Sequence, residues 1–354
     1  MYPRVNINID NLIANTQKMV DLAKQNHIDY VMAIVKVFAG DINIVKEIIN
    51  TGITHIGDSR IQNLKKYQSL AIPKLLVRIP MLSEVKSVIE YSDMSLNSEL
   101  ETIVALNKEA KKQNKKHEII IMFDLGDLRE GYYYSHSFIN DINKILKLEN
   151  IVIKGIGTNL TCYGGLVPNR EILSRLVEVK HSIETNTNIH LDIISGGNSS
   201  SVNLFGTNEI PKEINSLRLG ESIFFGKESS YSTDIVGFNH KNFSLEAEII
   251  EVKTKPSYPE GNTSINSFGE KVAIEDKGLM KRAILAIGKQ DVILENLQPV
   301  DTNIEIIGGS SDHLILDITN TDYKLGDIIE FNVNYPGLLH LMNSNYVYKN
   351  YLKK

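Results

Sequence analysis

The chain has 354 residues, of which 42% are hydrophobic and 23% are charged, and its formal net charge is -5. This composition is typical of a soluble globular protein with a large core, and a length of about two times 150 residues favours two domains. The mild acidic balance argues against nucleic-acid binding, and the single cysteine, Cys162, excludes an intramolecular disulfide and a thiolate metal cage. No apolar run reaches membrane-spanning length, so we expect a cytoplasmic protein without a membrane or metal partner.

Short apolar runs alternate with helical patterns through the first two-thirds of the chain. The runs cover residues 29–36, 55–59, 74–79, 94–99, 117–125, 152–160, 190–197 and 216–220. The segments 41–51, 98–115 and 168–186 have helical apolar spacing, and Asp41 and Ser98 are predicted N-caps. Eight apolar strands separated by helices predict a (β/α)8 TIM barrel, with an open doubly wound sheet as the alternative.

The last third of the chain changes character. Residues 243–252, 281–287, 303–307, 313–318 and 328–333 have strand patterns without helical patterns between them. We therefore predict a C-terminal β-rich domain over residues 231–354 after a barrel over residues 1–230. The first strand, about residues 1–10, is a candidate to pack with the C-terminal domain.

Polar residues stand out at the predicted strand ends, where barrel enzymes carry their chemistry. Lys36 ends the first barrel run, a Gly/Ser loop over residues 195–201 follows the seventh strand, and Gly220 follows the eighth. A loop of small residues suits an anion such as phosphate, and a lysine suits Schiff-base chemistry. Each feature alone fits an ordinary turn or a strand-end lysine, but together they indicate pyridoxal 5′-phosphate (PLP).

Six strings give the chain a family resemblance. They are AIVKVFAGD (33–41), THIGDSRIQN (54–63), FDLGDLREG (123–131), SGGNSSS (195–201), KPSYPEG (255–261) and SSDHLILD (310–317). The chain resembles the alanine racemase-like, fold-type III PLP enzymes, and within them the ornithine racemases. That resemblance implies a PLP barrel followed by a C-terminal β domain.

The resemblance also implies roles around the cofactor. Lys36 would hold PLP covalently and move the substrate's α-proton on one face, and Arg218 would face the pyridine nitrogen. Arg129 would lie near the phenolic oxygen of PLP and the substrate carboxylate. The phosphate would be bound by Asn198, Ser199, Gly220 and Glu221. Asn159 stands where alanine racemases have a histidine stacked on the ring. Gly40 stands where they have a phosphate-binding tyrosine, and Tyr346 would take over the role of that tyrosine.

A racemase needs a second proton carrier on the opposite face of the substrate. The family uses a tyrosine of the C-terminal domain, and Tyr258 is the matching candidate, although Pro259 departs from the pattern. Asp312 and His313 are the fallback. Ser311 and Asp312 lie in the string that resembles the substrate-carboxylate segment, and Asp127 and Glu130 offer carboxylates for a basic substrate side chain.

The expected function is therefore PLP-dependent racemisation of an amino acid, with ornithine as the expected substrate. Alternatives are an alanine or broad-specificity racemase and a non-catalytic PLP-binding protein of the same barrel. A decarboxylase or an aldolase of this fold is a further alternative. The resemblance also implies a homodimer in which each barrel mouth is completed by the partner's C-terminal domain.

Overall fold

The computed structural model describes residues 1–265, 268, 269, 271 and 274–353. The chain divides into two compact units: a barrel unit, Asp10–His240, and a second unit formed by Met1–Ile9 with Lys241–Lys354. The first strand of the chain, β1 (Arg4–Asn8), thus lies in the same unit as the C-terminal third. No helix of the described residues is long and apolar enough to cross a membrane.

The barrel unit alternates strands and helices. Its strands in chain order are β2 (Tyr30–Ile34), β3 (His55–Asp58), β4 (Lys74–Leu76), β5 (Met94–Asn97), β6 (His117–Asp124), β7 (Tyr132–Tyr133), β8 (Ile151–Gly157), β9 (Ile193–Ser195) and β10 (Ser216–Leu219). Its helices are α1 (Ile9–Gln25), α2 (Ile42–Ile48), α3 (Ile61–Lys66), α4 (Val85–Tyr91), α5 (Leu100–Lys112), α6 (Ile139–Ile145), α7 (Arg170–Thr187) and α8 (Glu221–Phe224). Short 3₁₀ turns cover Lys36–Phe38, Leu82–Glu84 and Ser199–Leu204.

The strands of this unit close on themselves. They pair in parallel in the order β5-β4-β3-β2-β10-β9-β8-β6, and β5 also pairs with β6. The β10–β2 pairing brings Leu219 beside Ala33, so the first and last barrel strands are neighbours. This closure confirms the predicted (β/α)8 barrel and excludes the open sheet.

Apolar side chains fill the barrel. The buried cluster consists of Met32, Ile34, Leu75, Met94, Leu96, Ile120, Met122 and Ile193. Burying a side chain of this size contributes about 1.5–3 kcal/mol, so the barrel interior stabilises the fold and leaves polar chemistry to the strand ends.

The two predicted helix caps have different outcomes. Asp41 caps α2, because its side chain accepts a hydrogen bond from the backbone N–H of Asn43, and that prediction is confirmed. The prediction for Ser98 is wrong. The residue before α5 is Glu99 in an extended conformation, with no side-chain cap, so the helix begins one residue too late for the hydroxyl of Ser98.

The second unit is built on an antiparallel sheet. After β1 its strands are β11 (Phe243–Pro256), β12 (Leu279–Leu285), β13 (Leu297–Pro299), β14 (Glu305–Gly309), β15 (Leu314–Asp317), β16 (Ile328–Val333) and β17 (Tyr348–Leu352). The central order is β13-β16-β11-β12-β15-β14, and β1 pairs with β11 and β17. The predicted β-rich C-terminal domain is thereby confirmed.

This unit also contains a helix that the sequence pattern did not predict, α9 (Tyr335–Asn343). Pro336 and Gly337 lie in its first turn, and both residues usually indicate a turn. Here the proline occupies the start of the helix, where its missing N–H costs nothing, and Asn334 caps the N–H of Gly337.

Candidate active site

Lys36 lies at the carboxyl end of the first barrel strand. It begins the 3₁₀ turn after β2, and the turn is fixed because Val37 and Phe38 are buried while Val35 donates to the carbonyl of Gly57 at 2.8 Å. The ring of Phe38 packs 4.6 Å from that of Phe224 in α8. Lys36 itself is exposed, so the turn presents its amine at the rim of the barrel.

Arg218 is a buried cation in β10, with 4% of its surface exposed. Its Nη1 donates to Ser195 Oγ at 2.6 Å, and its Nη2 donates to the carbonyl of Thr158. A Cβ at Gly157 would lie 3.2 Å from Nη1, so the glycine makes room for the guanidinium. Burial lowers the pKa of Arg218 to about 10, which still leaves it protonated at neutral pH.

Arg129 is held from two sides in the loop that follows β6. The carboxylate of Glu130 accepts from its Nε and Nη2 atoms in a two-point ion pair. The amide oxygen of Asn159, when turned toward Arg129, accepts from Nη2 at 3.0 Å and from Nη1 at 3.2 Å. A planar guanidinium bound along two edges has little rotational freedom, so Arg129 is pre-oriented at this rim.

Asp127 lies in the same loop but is completely buried. Its Oδ1 accepts from the backbone N–H groups of Thr161 and Leu166, both at 3.0 Å, and its Oδ2 accepts from that of Tyr163 at 3.1 Å. The carboxylate therefore orders the loop after β8. Its contact with a substrate, expected from the sequence, stays a prediction.

The two loops predicted to bind phosphate meet at Ser199. The hydroxyl of Ser199 accepts from the backbone N–H of Gly220 at 3.2 Å and from that of Ser222 at 3.1 Å. Asn198 caps the turn that begins at Ser199, since its Oδ1 accepts from the N–H of Ser200. The structure therefore brings Asn198, Ser199 and Gly220 together, as the sequence order of the two loops suggests.

Two further contacts complete this group. The amide nitrogen of Asn198 donates to the carbonyl of Leu160 at 2.8 Å, so this hydrogen bond connects the loop after β9 to the loop after β8. The carboxylate of Glu221 accepts from Ser229 Oγ at 2.7 Å, so its side chain is engaged locally while its backbone follows Gly220.

The remaining predicted residues lie in the second unit. Tyr258 lies two residues beyond the end of β11 and is 45% exposed. Ser257, between them, is buried and anchors the segment by accepting from the N–H of Lys277 at 2.6 Å. Tyr346 is exposed at the end of the chain, with its N–H bound to Ser344 Oγ at 3.1 Å. Their predicted roles stay predictions.

The Ser311 segment of the second unit forms its own network. Asp312 Oδ1 accepts from Gln290 at 3.0 Å, and Oδ2 accepts from Ser311 Oγ at 2.5 Å. The imidazole Nδ1 of His313 lies 3.3 Å from Ser310 Oγ. These contacts fix the shape of the segment, and the predicted binding of a substrate by Ser311 and Asp312 stays a prediction.

Sequence reasoning placed Ser195 only within the Gly/Ser loop and gave no role to Ser222; Ser195 Oγ accepts from Arg218, and the N–H of Ser222 donates to Ser199 Oγ. Each lies at or just beyond the end of a barrel strand, and a polar residue at such a position was the available signal. What the pattern lacked was the partner of each hydroxyl, which depends on the register of neighbouring strands.

Comparisons with known proteins agree with this architecture. Residues 7–228 match the family described as alanine racemase, N-terminal domain. The chain is 48% identical to the ornithine racemase of Acetoanaerobium sticklandii, over 99% of this chain and 100% of that protein. It is 36% identical to the lysine racemase of Thermotoga maritima, over 99% of both chains.

A solved structure shares the fold. The alanine racemase of Bartonella henselae with covalently bound pyridoxal phosphate superposes with a TM-score of 0.72 at 18% identity, over 99% of this chain and 100% of that one. The predicted resemblance is thus confirmed along the whole length. The chain belongs to the alanine racemase family.

Proposed function

We propose that this protein is a PLP-dependent racemase that interconverts L- and D-ornithine. The substrate is proposed from the relative named ornithine racemase, which matches the chain from end to end at 48% identity. The lysine racemase at 36% identity supports the same class, an amino acid with an aliphatic cationic side chain.

The observation that carries the cofactor assignment is Arg218. Its described hydrogen bonds go to two neutral oxygens, although a buried cation is normally paired with a carboxylate. A guanidinium donates hydrogen bonds and accepts none, so beside a pyridine nitrogen it would keep that nitrogen unprotonated. This environment fits PLP, and with PLP bound it would favour racemisation over transamination, because an unprotonated pyridine ring is a weaker electron sink.

The other residues at the barrel rim fit the same group. The N–H groups of Gly220 and Ser222 converge on one oxygen, that of Ser199, and this arrangement suits a phosphate oxygen. Asn198 and Glu221 flank these donors, and Asn159 would lie against the ring. Lys36, exposed at the rim, would attach to the cofactor's aldehyde. Tyr346 is proposed as an additional phosphate ligand from the second unit.

When bound, PLP would supply an electron sink for the negative charge that develops at the substrate's α-carbon. Arg129, fixed by Glu130 and Asn159, would bind and orient the substrate carboxylate. The amine of Lys36 would take or return the α-proton on its own face.

Tyr258 is proposed to carry the proton on the opposite face. Tyr258 is 45% exposed, whereas the carboxylate of Asp312 accepts from Gln290 and Ser311. We further propose a homodimer, in which Tyr258 serves the barrel of the partner, and a cytoplasmic location, where the free and exposed Cys162 would stay reduced.

The test is a racemisation assay with the purified, PLP-loaded protein. L-ornithine in heavy water should give D-ornithine that carries deuterium at Cα, without release of carbon dioxide or aldehyde. Absence of inversion with ornithine, lysine and alanine would instead indicate a PLP-binding protein, and release of carbon dioxide or aldehyde would indicate a decarboxylase or an aldolase.

The role of Tyr258 needs a separate variant. Tyr258→Phe should reduce deuterium incorporation from one enantiomer more than from the other, because only one face loses its proton carrier. Tyr348→Phe, which removes another exposed phenol of the second unit, is the matched control and should incorporate deuterium as the wild type does. Wild-type incorporation in Tyr258→Phe would assign the second base to another residue.

A further inference from the structure

The rim of the barrel concentrates positive charge. Burial is the main cause that lowers the pKa of Arg218, and the positive charge of Arg129 lowers this pKa further. An amino acid with a cationic side chain brings another positive charge to this region. Unless a carboxylate compensates, the site would repel such a substrate relative to a neutral one of the same shape.

The carboxylates near this rim are engaged differently. Asp127 is buried and accepts three backbone N–H groups, and Glu221 accepts from Ser229. Glu130 is paired with the guanidinium of Arg129, and its charge also acts on Arg218, whose pKa it raises against the effect of Arg129. Within the part of the chain that the structure describes, Glu130 is therefore the carboxylate whose charge raises the pKa of both Arg129 and Arg218.

The geometry of Glu130 separates a positioning effect from a charge effect. Its side chain is 17% exposed and accepts from Nε and Nη2 of Arg129, while the amide oxygen of Asn159, when turned toward Arg129, accepts from Nη2 and Nη1. Arg129 thus keeps one support when Glu130 changes. A variant that removes only the charge of Glu130 should leave Arg129 partly oriented and expose the electrostatic contribution.

We propose that Glu130 determines the preference of this site for basic amino acids, by holding Arg129 through a two-point ion pair and offsetting the positive charge that would otherwise repel a cationic side chain. This inference rests on the proposed function and deepens it. Glu130 acts here as a positioning and charge-compensating residue, without a direct contact to the substrate.

The experiment compares L-ornithine with L-norvaline, which has the same carbon chain without the terminal amine. The ratio of kcat/KM for the two substrates is measured in the wild type, Glu130→Gln, Glu130→Asp and Glu171→Gln. Glu171 pairs with Arg175 on the exposed surface of the barrel unit, so its variant removes one carboxylate charge from a comparable pair elsewhere.

We expect Glu130→Gln to lower the ornithine to norvaline ratio about tenfold or more, mainly through KM for ornithine, with a weaker effect at high salt. Glu130→Asp keeps the charge and should retain most of the preference, and Glu171→Gln should match the wild type. An unchanged ratio in Glu130→Gln would overturn the inference, as would an equal loss of preference in Glu171→Gln.

A binding measurement provides a readout independent of turnover. The full-length, cofactor-free protein is titrated calorimetrically with the borohydride-reduced PLP adducts of ornithine and norvaline. If the wild type binds neither adduct, the proposed PLP function is contradicted. If it binds both adducts equally, the proposed preference for ornithine is contradicted. A wild type that prefers the ornithine adduct, together with a Glu130→Gln variant of the same preference, contradicts only the role of Glu130.

Discussion

The buried carboxylate of Asp127 allows a prediction that distinguishes a loop-ordering residue from a substrate ligand. Asp127→Ala would leave three backbone N–H groups, those of Thr161, Tyr163 and Leu166, without their acceptor. Hydrogen bonds to a charged acceptor contribute about 1.5–3 kcal/mol each. Because the freed loop can relax toward water, we expect a loss of about 4 kcal/mol in the free energy of unfolding rather than the full sum.

Asp127→Asn removes the charge of Asp127 but keeps one side-chain oxygen as an acceptor, so it is compared with Asp127→Ala. Its remaining oxygen can keep the bonds of Oδ1 to Thr161 and Leu166, while its amide nitrogen would face the N–H of Tyr163. We expect a loss of about 2 kcal/mol, between the wild type and Asp127→Ala.

Urea unfolding followed by circular dichroism measures both losses, and hydrogen exchange should show faster exchange at residues 161–166. Asp192→Asn, which breaks an exposed pair with Lys154, is the control and should cost less than about 1 kcal/mol. A raised KM for ornithine in Asp127→Asn with unchanged unfolding would refute the loop role and support the substrate contact.

Three further predictions concern Lys36, Asp58 and His117. Lys36→Ala should abolish the visible absorbance of covalently attached PLP and lower racemisation about a thousandfold or more; retained absorbance would contradict the assignment. Burial raises the pKa of Asp58 to about 6, so its stabilising contribution is full below pH 3.8 and is lost as pH rises through 6. In urea unfolding, the free energy of unfolding of Asp58→Asn should therefore rise by about 3 kcal/mol relative to that of the wild type between pH 4 and pH 8. A difference between the two proteins that does not change with pH would contradict this. Burial lowers the pKa of His117 to about 4, so the stability that its neutral form contributes is full above pH 6.5 and is lost as pH falls toward 4. In the same urea unfolding experiment, the free energy of unfolding of His117→Gln should therefore fall by about 3 kcal/mol less than that of the wild type between pH 7 and pH 4.

The barrel could be predicted from the sequence because its parallel strands are buried on both faces. Such strands have continuous apolar runs, and β6 (His117–Asp124) is an example whose predicted bounds, 117–125, differ from the observed ones by one residue. The strands of the second unit were harder to predict from the sequence. The edge strands β13 and β17 were not predicted, because short strands with partly exposed faces lack a distinctive pattern.

The candidate site shows the same division. Lys36 and Arg218 could be placed at the ends of barrel strands, because a charged residue stands out in an apolar run. In a parallel barrel the carboxyl ends of all strands lie at the same rim, so both residues were expected there. Their partners could not be predicted. The acceptors of Arg218 come from the ends of β8 and β9, and only the register of those strands determines which oxygens lie beside it.

The pair of Arg129 and Glu130 depends on a loop conformation that no pattern of residue types encodes. The loop returns to the strand it left, because Tyr132 pairs with Phe123 in β6. Gly131 at the return has a φ of 127° and no room for a side chain, since a Cβ there would lie 2.6 Å from the backbone nitrogen of Asp124. The closed loop fixes the backbone of Arg129 and Glu130. Neighbouring residues of opposite charge are common in exposed loops, and here a glycine with a positive φ and two strand pairs make them a fixed element of the rim.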